Sequence, residues 1–192
     1  VRPGEAPRTP GPAGRGGHGG RPDWRGRLVA GVRLFLLSAV LLAGVGAIGQ
    51  SIGWVALTTT LGPTAYLLLA HPDSVGARLR SAVVGHACAI ACGLACLAVF
   101  GLWSHPSIAA QHSDTARQIG AEALAVGLTL FFLHLFDSHH PPAAATALLI
   151  ASGISRPGPP LYGMLVGLAL VLALAPLLAT ATSGLTRKRQ GS

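Results

Sequence analysis

The chain has 192 residues, of which 51% are hydrophobic and only 10% charged, a balance that excludes an ordinary soluble domain. Its formal charge of +8 comes from 14 Lys and Arg against 6 Asp and Glu. The basic residues gather at the chain ends and beside apolar blocks, as cytoplasmic flanks of a membrane protein do. No basic and aromatic array of the kind that binds nucleic acid is visible.

In chain order, residues 1–27 are rich in Gly, Pro and Arg and predict a disordered basic cytoplasmic tail. Residues 28–183 predict one all-α, polytopic transmembrane bundle of about six spans, and residues 184–192 a short basic cytoplasmic tail. The six apolar blocks are Leu28 to Ile48, Trp54 to Ala70, Ser81 to Trp103, Ile119 to Phe136, Pro141 to Ile154, and Leu161 to Thr180. At about 1.5 Å per residue, the first, third, fourth and sixth can cross a hydrocarbon core of about 30 Å. The second is marginal and carries Thr58, Thr59, Thr60, Gly62 and Pro63 in its middle. The fifth is too short as pure helix; it is re-entrant unless Asp137 to His140 completes the crossing.

Charge favours a crossing. With six spans and a cytoplasmic N-terminus, only Arg117 and Arg156 lie outside, leaving 14 − 2 = 12 basic residues inside. A re-entrant fifth block sends Arg187, Lys188 and Arg189 outside and weakens that asymmetry. The expected location is the plasma membrane, multi-pass, with both termini cytoplasmic.

Ser138 to Leu149, SHHPPAAATALL, is the most unusual stretch. A proline pair breaks a helix arriving from the N-terminal side but suits the first turn of a new one. His140 is expected to cap that helix, with Pro141 and Pro142 in its opening turn and the N–H groups of Ala143 to Ala145 free for a polar or anionic guest. GPTAYLLLA, Gly62 to Ala70, echoes AATALLIA, Ala144 to Ala151, when Thr64 is set on Thr146. Each is followed by a helix with small residues: Gly85, Ala89 and Gly93 in one, Gly163 and Gly167 in the other. Three spans per unit is odd, so the units form a 3+3 inverted repeat with paired broken helices, a common transporter plan. The small-residue stripes read as ordinary helix packing; a homo-oligomer is left open.

Cys88, Cys92 and Cys96 recur every four residues on one helix face and read as packing residues, not a disulfide framework.

These residues resemble the HPP family of bacterial and plastid membrane proteins. The resemblance rests on Gly62-Pro63-Thr64-Ala65, His71-Pro72, Gly85-His86, His140-Pro141-Pro142, and Ala145 through Leu149, in that order. It implies a transporter, with some members linked to nitrite; family members usually have four spans, against the six counted here. Many members carry Gly-Ala-Ser-Ala where this chain has Gly-Pro-Thr-Ala.

The expected substrate site therefore comprises Gly62, Pro63, Thr64, His86, His140, Pro141, Pro142 and Thr146, taking a small inorganic anion, with nitrite the first candidate. Histidine, with an unperturbed pKa of about 6.5, can carry a proton alongside it. His134 and His139 read as interfacial, and Glu122 as near enough to a helix end to reach water. The lipid bilayer is the other partner; no cofactor or resident metal is expected. Two other classes stay open: a transition-metal transporter using His134, Asp137 and His140, and a non-transporting scaffold or sensor subunit. An enzyme is not expected: for a rhomboid-type serine protease, residue 64 is threonine and the last span has no histidine to act as base.

Overall fold

The computed structural model describes residues 24–190, with side chains to residue 180. The described residues form helices and connecting turns. Among the described residues four helices are long and apolar enough to cross a membrane: α1 (Trp24–Ser51), α3 (Leu79–Val99), α5 (Ala116–Leu135) and α7, whose apolar part is Pro159–Thr180 within Pro159–Gln190. Two ten-residue helices, α2 (Leu61–Ala70) and α6 (Pro142–Ala151), lie between them. A 3-10 turn, Val75–Ala77, precedes α3, and the short α4 (Ile108–Gln111) precedes α5.

Most of the expected N-terminal tail, residues 1–23, and the final two residues lie outside the described residues. The rest of both tails is described as helix. Trp24 to Arg27 already belong to α1, and α7 continues to Gln190. Once an apolar block has nucleated a helix, adding residues costs little, and Arg and Lys are good helix formers.

The long helices that precede α2 and α6 end in the same way. After α1, Gly53 takes φ 72°, Trp54 N–H bonds Gly49 O at 2.9 Å, and Gly53 N–H bonds Gln50 O at 3.2 Å. After α5, Asp137 takes φ 49°, Ser138 N–H bonds Leu133 O at 2.8 Å, and Asp137 N–H bonds His134 O at 3.2 Å. Each is a Schellman cap, which satisfies the last carbonyls of the helix and turns the chain back into the bundle. Entry into α5 is equally local: Thr115 and Gln118 form a reciprocal capping box.

A ten-residue helix rises only about 15 Å, half a bilayer core, yet both short blocks change sides. α6 starts beside the first turns of α3, where Gly85 faces His140 and Ala143. It ends at the segment that follows α3, where Ser152 O accepts the N–H of Ile108. α2 starts near the end of α1, where Ala56 approaches Gly49, and ends beside Ala30 and Leu37 in its first half. The chain thus traverses the bundle six times, completing two crossings with non-helical backbone that protein covers on at least one side. The first turns of α1, the far end of α7 near Ala179, and the start of α3 share one face.

The repeat is visible in packing. α3, α5 and α6 pack together, and α1, α2 and α7 pack together, so the third helix of each unit joins the first two of the other. With Thr64 on Thr146, a shift of 146 − 64 = 82, the buried Leu61, Thr64, Ala65 and Leu68 of α2 fall on buried Ala143, Thr146, Ala147 and Ile150 of α6. The same shift sets Gly85 of α3 on Gly167 of α7. Gly85 meets Ala143 and Gly167 meets Leu61, which are themselves a matched pair. Glycine is needed for this approach: a Cβ on Gly167 overlaps the Ala56 carbonyl oxygen, and one on Gly93 comes within 2.8 Å of Ile150 Cβ. The two units run in opposite directions, since α2 travels toward the face where α6 begins.

Candidate functional site

Thr64 in mid-α2 and Thr146 in mid-α6 are fully buried and face each other across His86 of α3, itself 4% exposed. His86 Nδ1 is 2.9 Å from Thr146 Oγ1, and its Nε2 is 3.5 Å from Thr64 Oγ1. His86 Nε2 is also 3.1 Å from His140 Nε2, and His140 Nδ1 is 2.8 Å from the carbonyl oxygen of Gly76. The two rings meet edge to face, with centroids 4.8 Å apart.

Hydrogen-bond logic fixes the protons. A carbonyl only accepts, so His140 Nδ1 carries a proton and donates it to Gly76. With the ring neutral, His140 Nε2 is then an acceptor, and His86 Nε2–H must donate to it. His86 Nδ1 is left as acceptor for the Thr146 hydroxyl. Thr64 donates to the Thr60 carbonyl at 2.8 Å. Every member is satisfied with both rings neutral, the arrangement a low-dielectric interior favours. A proton added to either histidine reverses at least one bond, so the cluster has two distinct hydrogen-bonding states.

The predicted residues are not all brought together. Thr64, His86, His140 and Thr146 converge, and Pro142 is buried beside them in the first turn of α6. Gly62 and Pro63 point outward from the first turn of α2, and Pro141 is exposed. These three shape the backbone and do not line the site. Proline at the first helical positions needs no N–H of its own, which is why the pair can start α6.

The expectation of free N–H groups after the prolines is corrected as well. Ala143 N–H bonds His140 O at 3.0 Å and Ala144 N–H bonds Pro141 O at 3.1 Å. Pro141 already has helical dihedrals and takes the capping place, so the first turn closes on itself. His140 instead turns its ring toward α3 and the loop at Gly76.

His134 and Asp137 are exposed while His140 is buried, so that trio does not share a face. Among the described residues no three His, Cys, Asp or Glu side chains come close enough to hold a metal ion. His139 is exposed and lies 3.5 Å from Asp137. Glu122 does not turn both oxygens to water: Oε1 is buried without a hydrogen-bond partner among the described residues. Cys92 and Cys96 are buried and free on α3.

Sequence reasoning missed Thr60 and Gly76 as partners of the cluster. It also missed Ser138, whose hydroxyl donates to Ser81 O at 2.9 Å and ties the second break to the start of α3. The threonine triplet from Thr58 to Thr60 was a usable signal; nothing in sequence distinguishes Gly76.

The family model described as the transmembrane region of HPP proteins matches residues 21–190. No curated protein and no solved structure matches the chain.

Proposed function

The chain belongs to the HPP transmembrane family, and from that membership and the buried cluster we propose that it moves a small anion across the plasma membrane, nitrite being the first candidate, together with a proton. The observation that carries this reading is the position of His86, bonded to the threonine of one broken helix, within 3.5 Å of the threonine of the other, and bonded to a second histidine. An ionisable pair at membrane depth is costly unless it is used.

The chemistry follows from the proton count. In the neutral cluster every donor is committed, so it has nothing to offer an anion. A proton on the histidine pair adds a donor and a positive charge between two hydroxyls that can replace lost hydration. Anion and proton then neutralise each other, which lowers the cost of holding either in low dielectric. The face bearing Arg78, Arg80 and the chain ends is the cytoplasmic one in this reading, because only Arg117 and Arg156 lie toward the other. Transport, not catalysis, is proposed for the threonines.

The test is purified protein in liposomes, with flux measured for nitrite, nitrate, formate and chloride under both directions of pH gradient. His140→Ala is run beside it. Flux of at least one anion that responds to the gradient and falls in the variant supports the reading; no flux of any of them sinks it.

A further inference from the structure

The inverted repeat relates the two ends of the bundle, and the two ends differ. The shift of 82 that sets Thr64 on Thr146 sets Thr58 on His140 and Gly76 on Gly158. At the end shared by the start of α1 and the far end of α7, His140 and Gly76 are joined by a 2.8 Å hydrogen bond, and His140 is fully buried. Their mates at the other end are not joined. Thr58 Oγ1 turns instead to Thr60 Oγ1 at 3.2 Å, and Gly158 O accepts from Tyr162 N–H at 3.0 Å. Beside Thr58 lies a cavity of about 330 Å³, lined also by Ser155, Trp54, Ile154, Pro159 and Pro160.

From that cavity a chain of polar groups leads inward. Thr58 contacts Thr60, the Thr60 carbonyl accepts from Thr64, and Thr64 lies 3.5 Å from His86. Thr60 and Thr64 are fully buried, so this ladder runs through otherwise apolar surroundings. Hydroxyls at intervals along such a path can take over, step by step, the hydrogen bonds a small solute loses on leaving water.

We propose that the cavity beside Thr58 is the mouth of the permeation path on the face opposite the chain ends, and that Thr58 and Thr60 are its first substrate-facing hydroxyls. The ligand class is a small anion that accepts hydrogen bonds. The inference rests on the transport reading above. In this conformation the His140–Gly76 bond seals one end, and the equivalent pair at the other end stands open.

The test uses the full chain carrying Thr58→Cys, with Ser155→Cys on the opposite wall as a second probe should the first fail to fold. A charged, membrane-impermeant methanethiosulfonate is applied to one face at a time, with unmodified protein treated in parallel to account for Cys88, Cys92 and Cys96. The expected result is one extra adduct by mass, from the face opposite the termini only, with nitrite flux reduced more than tenfold and modification slowed by excess nitrite. An extra adduct with unchanged flux puts the cavity off the path, and no adduct from either face shows that it does not open to water; each overturns the proposal. Absent flux in unmodified protein overturns the transport reading instead, and the sided labelling still reports whether the mouth exists.

Discussion

His86 Nε2 and His140 Nε2 lie 3.1 Å apart although 54 residues separate them in the chain, and only one proton can occupy the line between them. That single fact gives the cluster a defined neutral state and ties the third helix to the second break.

The tautomers are therefore expected to be opposite. Nitrogen NMR of labelled protein should show His140 protonated at Nδ1 and His86 at Nε2 when the site is closed. The reverse pattern at either ring contradicts the proton assignment.

His86→Leu introduces the residue that the other repeat carries at the matching position, Leu168. The variant is expected to fold, because a leucine is accommodated in the equivalent packing, but to lose most of its flux. His140→Ala leaves the Gly76 carbonyl without its partner and the His86 N–H with only the 3.5 Å approach to Thr64 Oγ1, at a cost of about 1–3 kcal/mol. Denaturation midpoints and liposome flux together separate these effects.

Proton dependence has a definite sign. The neutral cluster has no spare donor, so flux should rise as pH falls toward histidine protonation, and an inward proton gradient should drive anion inward. In His86→Leu that dependence should flatten; a variant with unchanged pH dependence would place the titrating group elsewhere.

The close helix approach is testable through glycines. A side chain on Gly93 would come closer to Ile150 than van der Waals contact allows, so Gly93→Leu should destabilise by about 1–3 kcal/mol. Gly127→Ala, with open space around it, should stay within about 1 kcal/mol of the parent. Detergent or thermal unfolding gives the comparison.

The second break depends on a left-handed residue. Asp137→Gly should preserve or slightly raise stability, whereas Asp137→Val forces a branched side chain into positive φ and should cost about 1–2 kcal/mol. Equal stability of the two variants would mean that the cap does not hold this turn.

Much of this was legible in the residues themselves. Hydropathy marks the four long helices, because twenty apolar residues have no other stable use in a chain with so few charges. The proline pair and the threonine spacing mark the second break and the repeat, since proline's missing N–H and fixed φ act locally wherever the chain goes. Which face of each short helix turns inward could not be read that way. In lipid both faces of α2 and α6 meet apolar surroundings, so hydrophobic periodicity carries almost no information, and Gly62, Pro63 and Thr64 look equally suited to a site. Only the packing of α3 against α6, and of α7 against α2, turned Thr64 and Thr146 toward His86 and left Gly62 and Pro63 outside. Composition and local backbone chemistry determined that this chain lives in a membrane and where its helices break; close glycine contacts between segments distant in sequence decided which polar groups meet.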